Sequence, residues 1–199
     1  MRFDLQTIAR WIEEGSSVLD LGCGNGILLK FLREKKGVRG TGIEIDEQKV
    51  TEGIVQGVNV IHGDINEEIQ DYADGSFDYV ILSQTLQQVY RPAWLINEML
   101  RVGQKGIVSF PNFGHYKNRL YFLLRGRKPI SRELPYEWFD TPNIRTISIE
   151  DFRRFCKVFN FSIERETSIS TFHHEEEGKV VRWFPNLFAT YGIFMLSHR

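Results

Sequence analysis

The sequence predicts a doubly wound α/β fold. Strand and helix patterns alternate through the first 110 residues, and the strands are short and continuously apolar, as when both faces of a sheet are covered. A glycine-rich turn joins the first strand to the helix that follows it, as at the ligand end of such sheets. The elements justify this in order. Phe3, Leu5, Ile8, Trp11 and Ile12 fall on one side of a helical wheel, predicting an amphipathic helix over 4–13 with Asp4 as its cap. A strand at Ser17–Leu21 runs into the glycines, and an apolar-periodic helix from Ile27 to Lys35 stops at Gly37. Gly40–Ile45 is a second strand, after which Asp46 caps a helix over 47–56. Val58–His62 is the third strand, and residues 66–73 form a short helix ending at the Asp74-Gly75-Ser76 turn. Phe77–Leu82 is the fourth strand; Pro92 opens a helix through Arg101, and Gly106–Phe110 is the fifth strand.

The remaining 90 residues read differently. Residues 113–147 are irregular, aromatic and basic, and are expected to form a lid or partner-binding insertion within a single domain spanning 1–199. Ser148 with Asp151 resembles a capping box opening a helix to Phe159, and two strands follow near Phe161–Thr167 and Thr190–Ser197. The HHEEEGK segment between those strands reads as a charged connection.

Composition limits the partners. A net charge of −1 supplies no global drive toward nucleic acid, although residues 1–100 carry 9 Lys+Arg against 16 Asp+Glu and residues 101–199 carry 16 against 10. Lys117, Arg119, Arg125, Arg127, Lys128 and Arg132 crowd among Phe113, Tyr116, Tyr121 and Phe122, a pattern that RNA can use. Leu120, Leu123 and Leu124 argue instead for an amphipathic helix docked on the domain or on a partner. Two isolated cysteines form no disulfide framework, and the N-terminus lacks the apolar core of a signal peptide, so a cytoplasmic location is expected. No run is long and apolar enough to cross a bilayer. His173-His174 beside Glu175–Glu177 invites a metal, but consecutive side chains diverge, so no metal site is expected.

VLDLGCGNG at 18–26 poses the functional question. Such a loop lets a ligand approach the main chain at a helix N-terminus, although close strand–helix packing with no ligand also produces it. It has no GK[ST] to cradle a triphosphate, and Ile27 stands where a dinucleotide fingerprint needs its third glycine. Asp20 suits a cation better than a pyrophosphate. Glu44, ending the second strand, stands where a carboxylate can accept both hydroxyls of a ribose. Asp64, after the third strand, stands where one can accept from a purine amine; a helix cap is the plainer alternative for it. Together the three acids describe a purine nucleoside carrying positive charge.

These motifs, taken with FDYVILSQTLQ at 77–87, resemble the class I S-adenosylmethionine-dependent methyltransferases over residues 15–112. The strings VILSQTLQ, GIVSFPNFGHY and LPYEWFDTPNIR resemble the MetW family of methionine-biosynthesis proteins. The resemblance implies a Rossmann-like class I methyltransferase fold, with a mostly parallel sheet and an antiparallel C-terminal strand. It implies S-adenosylmethionine or S-adenosylhomocysteine as cofactor. Asp20, Gly22, Gly24 and Gly26 would face its methionyl part, Glu44 the ribose, Asp64 and the Ile65 amide the adenine, and Ser83 and Gln84 the amino-acid end. Cys23 and Ile45 complete the cofactor-contacting set, Cys23 reading otherwise as a small packing residue. Asn25 departs from the acidic residue many relatives carry. The resemblance also implies a role in methionine biosynthesis alongside homoserine O-acyltransferase, with a catalytically active small-molecule methyltransferase as the alternative. Ser83–Gln88 hold only neutral polar and apolar groups, so the catalytic candidate is His115 alone, and a lone histidine in an aromatic loop is more often a packed or hydrogen-bonded surface group.

Overall fold

The computed structural model describes residues 1–131, 136–171 and 175–198. Among the described residues eight strands form one sheet in the order β3-β2-β1-β4-β5-β8-β6-β7. They are β1 Ser17–Leu21, β2 Arg39–Glu44, β3 Asn59–His62, β4 Phe77–Ser83, β5 Gly103–Pro111, β6 Ser162–Ser170, β7 Lys179–Val180 and β8 Tyr191–Ser197. The first five pair in parallel. β8 joins β5 antiparallel, pairing Gly106 with Leu196 through Pro111 with Tyr191, and β6 and β7 continue the antiparallel edge.

The helices are α1 Phe3–Trp11, α2 Ile27–Lys36, α3 Glu47–Val55, α4 Ile65–Glu68, α5 Pro92–Val102, α6 Tyr116–Arg125, α7 Ile149–Val158 and α8 Pro185–Phe188. They divide between the sheet faces, and period-two alternation feeds both. Val18, Tyr79, Ile81, Ile107, Ile193 and Met195 pack with α1 and α2. Leu19, Val80, Leu82, Val108, Phe194 and Leu196 pack with α5 and α7. On the second face Phe152 lies 4.9 Å from the Phe110 ring and 4.7 Å from Phe194.

Local signals act as the residue types dictate. Gly37 ends α2 in the left-handed region (φ 62°), its N–H returning to Arg33 and Leu32 carbonyls. Asp46 caps α3 by accepting from the Gln48 and Lys49 amides, and Ser148 and Asp151 form a reciprocal capping box on α7. One expectation fails: Asp4 is not a cap. Arg2 stands at that position, and Asp4 lies buried within α1, committed to side chains. β5 begins earlier than its apolar run because Gly103 already pairs with Phe77. Residues 113–147 contain the ordered helix α6, whose buried residue is Asn118, while Leu120, Phe122, Leu123 and Leu124 are exposed. Arg132 and the His173-His174 pair lie outside the described residues.

Candidate ligand cleft at the strand switch

β1 has β2 on one side and β4 on the other, so the connections leave it in opposite directions and a crevice opens at its carboxyl end. A cleft of about 650 Å³ lies there. Asp20, Gly22, Cys23, Gly24, Glu44, Ile45, Asp64, Ile65, Ser83 and Gln84 all line it. Gly26 does not: with φ 74° it turns the chain into α2, and a Cβ there would meet Val58 at 3.1 Å.

The glycines fold the loop by conformational need. Gly22 (φ 73°) and Gly24 (φ 58°) occupy the left-handed region. A Cβ on Gly22 would strike Thr85 Oγ1 at 2.7 Å, whereas one on Gly24 would meet nothing within 4 Å, leaving backbone open to the cleft. The Gly24 N–H donates to Glu44 Oε2 at 2.8 Å, and the Ile45 and Asp46 N–H groups donate to Oε1 at 3.1 Å each. These bonds fix the Glu44 carboxylate against the glycine loop with acceptor capacity remaining on Oε2. Asp64 serves the plainer role too: its Oδ1 accepts from the Asn66 N–H at 2.8 Å and caps α4.

Asp20 differs from both. Period two points it to the same face as Val18, toward α1, and it is only 3% exposed. Its Oδ1 has no hydrogen-bond partner. Burial pushes its carboxyl up to about 7; nearby Arg2 opposes that rise and Glu44 adds to it. A buried acceptor with a missing donor beside an open cleft is complementary to a cation carrying N–H groups. Cys23 is no nucleophile: burial, then the charges of Asp20 and Glu44, raise its thiol far above the ordinary range. Its sulfur packs where a Cβ on Gly42 would fall, 2.4 Å away.

Ser83 and Gln84 end β4. Ser83 Oγ lies 3.0 Å from Ser109 Oγ, and Gln84 holds a left-handed backbone (φ 54°). The Gln84 Nε2 donates to Asp4 Oδ2 at 2.6 Å. Asp4 also takes a two-pronged bond from Arg2, Nε to Oδ1 and Nη2 to Oδ2, both 3.1 Å. Arg2 and Leu5 thereby join the cleft lining, together with Thr85, Gln88 and Tyr90. Arg2, Asp4 and Leu5 in this wall lie outside the glycine and acid motifs of the sequence. Its one local signal was a carboxylate at position 4 inside an otherwise apolar helical face.

His115 lies elsewhere. The Asn112 Oδ1 accepts from the Gly114 and Ile149 N–H groups while its Nδ2 donates to the Asn186 and Ala189 carbonyls, turning the chain toward α8. His115 then caps α6 and lines a separate cavity of about 680 Å³ with Lys117, Lys179 and Trp183. Among the described residues lining the first cleft there is no histidine. Among the described residues there is also no cluster suited to a metal, and no helix is long and apolar enough to cross a membrane.

The parallel sheet with its antiparallel final strand and the acid-lined cleft at the switch point define the class: this is the S-adenosylmethionine-dependent methyltransferase fold. The solved structure of an S-adenosylmethionine-dependent methyltransferase, possible histamine N-methyltransferase, from Thermotoga maritima matches with TM-score 0.69 at 18% identity, covering 99% of this chain and 88% of that one. M. capricolum TrmK, solved with S-adenosylhomocysteine, matches with TM-score 0.58 at 11% identity over 100% of this chain and 69% of that one. Within that class the chain belongs to the methionine biosynthesis protein MetW family, whose model matches residues 2–196. It is 38% identical over 175 residues to the bifunctional methionine biosynthesis protein MetXA/MetW of Rhodopirellula baltica. That match covers 83% of this chain but only 28% of the fusion protein.

Proposed function

We propose that the cleft binds S-adenosylmethionine or S-adenosylhomocysteine, and that the chain acts in methionine biosynthesis by reporting that ligand to homoserine O-acyltransferase. One observation carries the ligand: the buried, unpartnered Asp20 Oδ1 beside amide-pinned Glu44. The residues fit the group. Gly24 leaves open backbone, Glu44 retains acceptor capacity for ribose hydroxyls, and Asp64 Oδ2 remains for the adenine amine after Oδ1 has capped α4. Supplied there, S-adenosylmethionine would bring a cationic sulfonium and an ammonium into a cleft dominated by carboxylates.

Two features support a reporting role. Ser83–Gln88 place amides and hydroxyls at the cleft without a histidine, and a relative carries MetXA and MetW in one chain. The exposed Leu120, Phe122, Leu123 and Leu124 of α6, flanked by Lys117, Arg119 and Arg125, supply the surface for that partner.

The test mixes the protein with the acyltransferase, with and without S-adenosylmethionine, following complex formation and acylation rate. A rate that changes with the ligand is expected. Absence of any association would remove the reporting role, and acceptor-dependent release of S-adenosylhomocysteine would establish a methyltransferase instead. Glu44→Ala should weaken ligand binding by about 1.5–3 kcal/mol in calorimetry, the cost of lost bonds to a charged acceptor. Unchanged affinity would remove the ribose assignment.

A further inference from the structure

The cavity beside His115 has no residue of its lining in common with the first cleft. It forms where the chain leaves β5, enters α6 and returns through β7 to α8. At about 680 Å³ it has room for a ring bearing a charged substituent. Buried Asn112, His115, Asn118 and Thr190 give it polar inner walls. The fold fixes those walls: Asn112 Nδ2 donates to the Asn186 and Ala189 carbonyls, and Thr190 Oγ1 donates to the Thr171 carbonyl at 2.8 Å and accepts from its N–H at 3.0 Å.

The charge around it is one-sided. Lys117, Lys179 and Arg182 line the cavity, and among the described residues no Asp or Glu does. The first cleft is the reverse, with Asp20, Glu44, Glu52 and Asp64 against Arg2 and Lys49. Backbone bonds hold the segment that carries two of the cations. Lys179 pairs with Ser170, the Val181 N–H donates to the Ser168 carbonyl at 2.7 Å, and α8 begins at Pro185. Grouped cations in a concave site, with no acid in the wall, concentrate anions there. Flat apolar faces stand beside them: Trp183 is 82% exposed, and the Tyr116 and Phe188 rings lie 5.9 Å apart. A ring can stack on such faces while its charged substituent reaches the cations.

We propose that this cavity is a second ligand site, for a small organic anion that joins a flat ring to a phosphate or carboxylate group. Lys179 and Arg182 take the anion, and Trp183 with Phe188 takes the ring. A concave site on a chain of net charge −1 suits a small molecule better than a polyanion. The site is independent of what the first cleft binds.

Phenyl phosphate tests this on the full chain in calorimetry, with inorganic phosphate and benzyl alcohol as its two halves and benzoate as the carboxylate form. The tighter of phenyl phosphate and benzoate identifies the anionic group, and it should bind at least about tenfold more tightly than benzyl alcohol or inorganic phosphate. Lys179→Gln and Arg182→Gln, both on exposed side chains, should each weaken the aromatic anion and inorganic phosphate by about tenfold. Trp183→Leu should weaken the aromatic anion alone, leaving inorganic phosphate within about twofold. Lys157→Gln, which removes an exposed charge from α7 outside the lining, should change neither. No saturable binding of either aromatic anion would overturn the site, as would unchanged affinity in the Arg182 and Trp183 variants. Equal weakening by Lys157→Gln would mean diffuse charge without a site. A short uridine oligonucleotide that binds more tightly than both aromatic anions would make this a nucleic-acid surface and overturn the small-molecule reading.

Discussion

Replacing Asp20 with Asn should make the ligand-free protein gain stability, relative to wild type, as the pH rises. Its carboxyl moves from 3.8 to about 7 on folding because burial removes water from the charged form. The sign follows directly. Between those values the native state holds a proton that the unfolded chain has released, so the wild type loses stability with rising pH. Integrating the two titrations, the cost is about 2 kcal/mol near pH 5 and about 4 kcal/mol near pH 8. The Asn variant lacks this titration but carries an amide with its own unmet bonds, a contribution independent of pH. The quantity to compare is therefore the change between the two conditions: about 2–3 kcal/mol in favour of the variant. Urea denaturation of both ligand-free proteins near pH 5 and near pH 8 measures it. A stability difference that stays flat within about 0.5 kcal/mol would show that Asp20 is solvated or paired in solution, and the case for a waiting cation site would fall with it. The same variant should bind S-adenosylhomocysteine less tightly.

Two further outcomes follow from packing and burial. Phe152→Ala removes a ring wedged among Phe110, Phe155 and Phe194, and should cost about 3–5 kcal/mol in urea denaturation; a loss below about 1 kcal/mol would mean those contacts collapse to fill the space. Both cysteines should resist alkylation in the native protein near pH 8 and react on unfolding, since burial pushes Cys156 up to about 12 and Cys23 higher still; rapid native-state labelling of Cys23 would contradict its packing role.

What the sequence made legible was local. Strands β1 to β4 and the helices between them announce themselves through period and punctuation: Gly37 stopping α2, Asp46 capping α3, Ser148 with Asp151 opening α7. The acids at the ends of β1, β2 and β3 could be placed because parallel strands bring their carboxyl ends to one edge. Contacts made across the chain were not legible. Gln84 reaches Asp4 over 80 residues, so neither announces the other, and a carboxylate in the first turn of a helix reads as a cap by default. His115 follows β5 as expected, but the four bonds of Asn112 redirect it, and nothing short of the folded partners near Ile149 and Ala189 encodes that turn. The two-residue β7 and the four-residue α8 are too short for a period to appear.

Helix α6 has a consequence of a different kind. Ten residues fall short of the roughly 12–15 that sustain a helix in water, and here the core returns little, since Asn118 rather than a leucine is turned inward. What holds the segment is mostly polar: the His115 cap, the Asn118 and Arg119 side chains bonded to the Phe113 and Gly114 carbonyls, and the Gly126 N–H bonded to the Phe122 carbonyl. Covering Leu123 and Leu124 would supply the burial that the domain withholds, so a partner docked on this face would stabilise the helix as well as bind it.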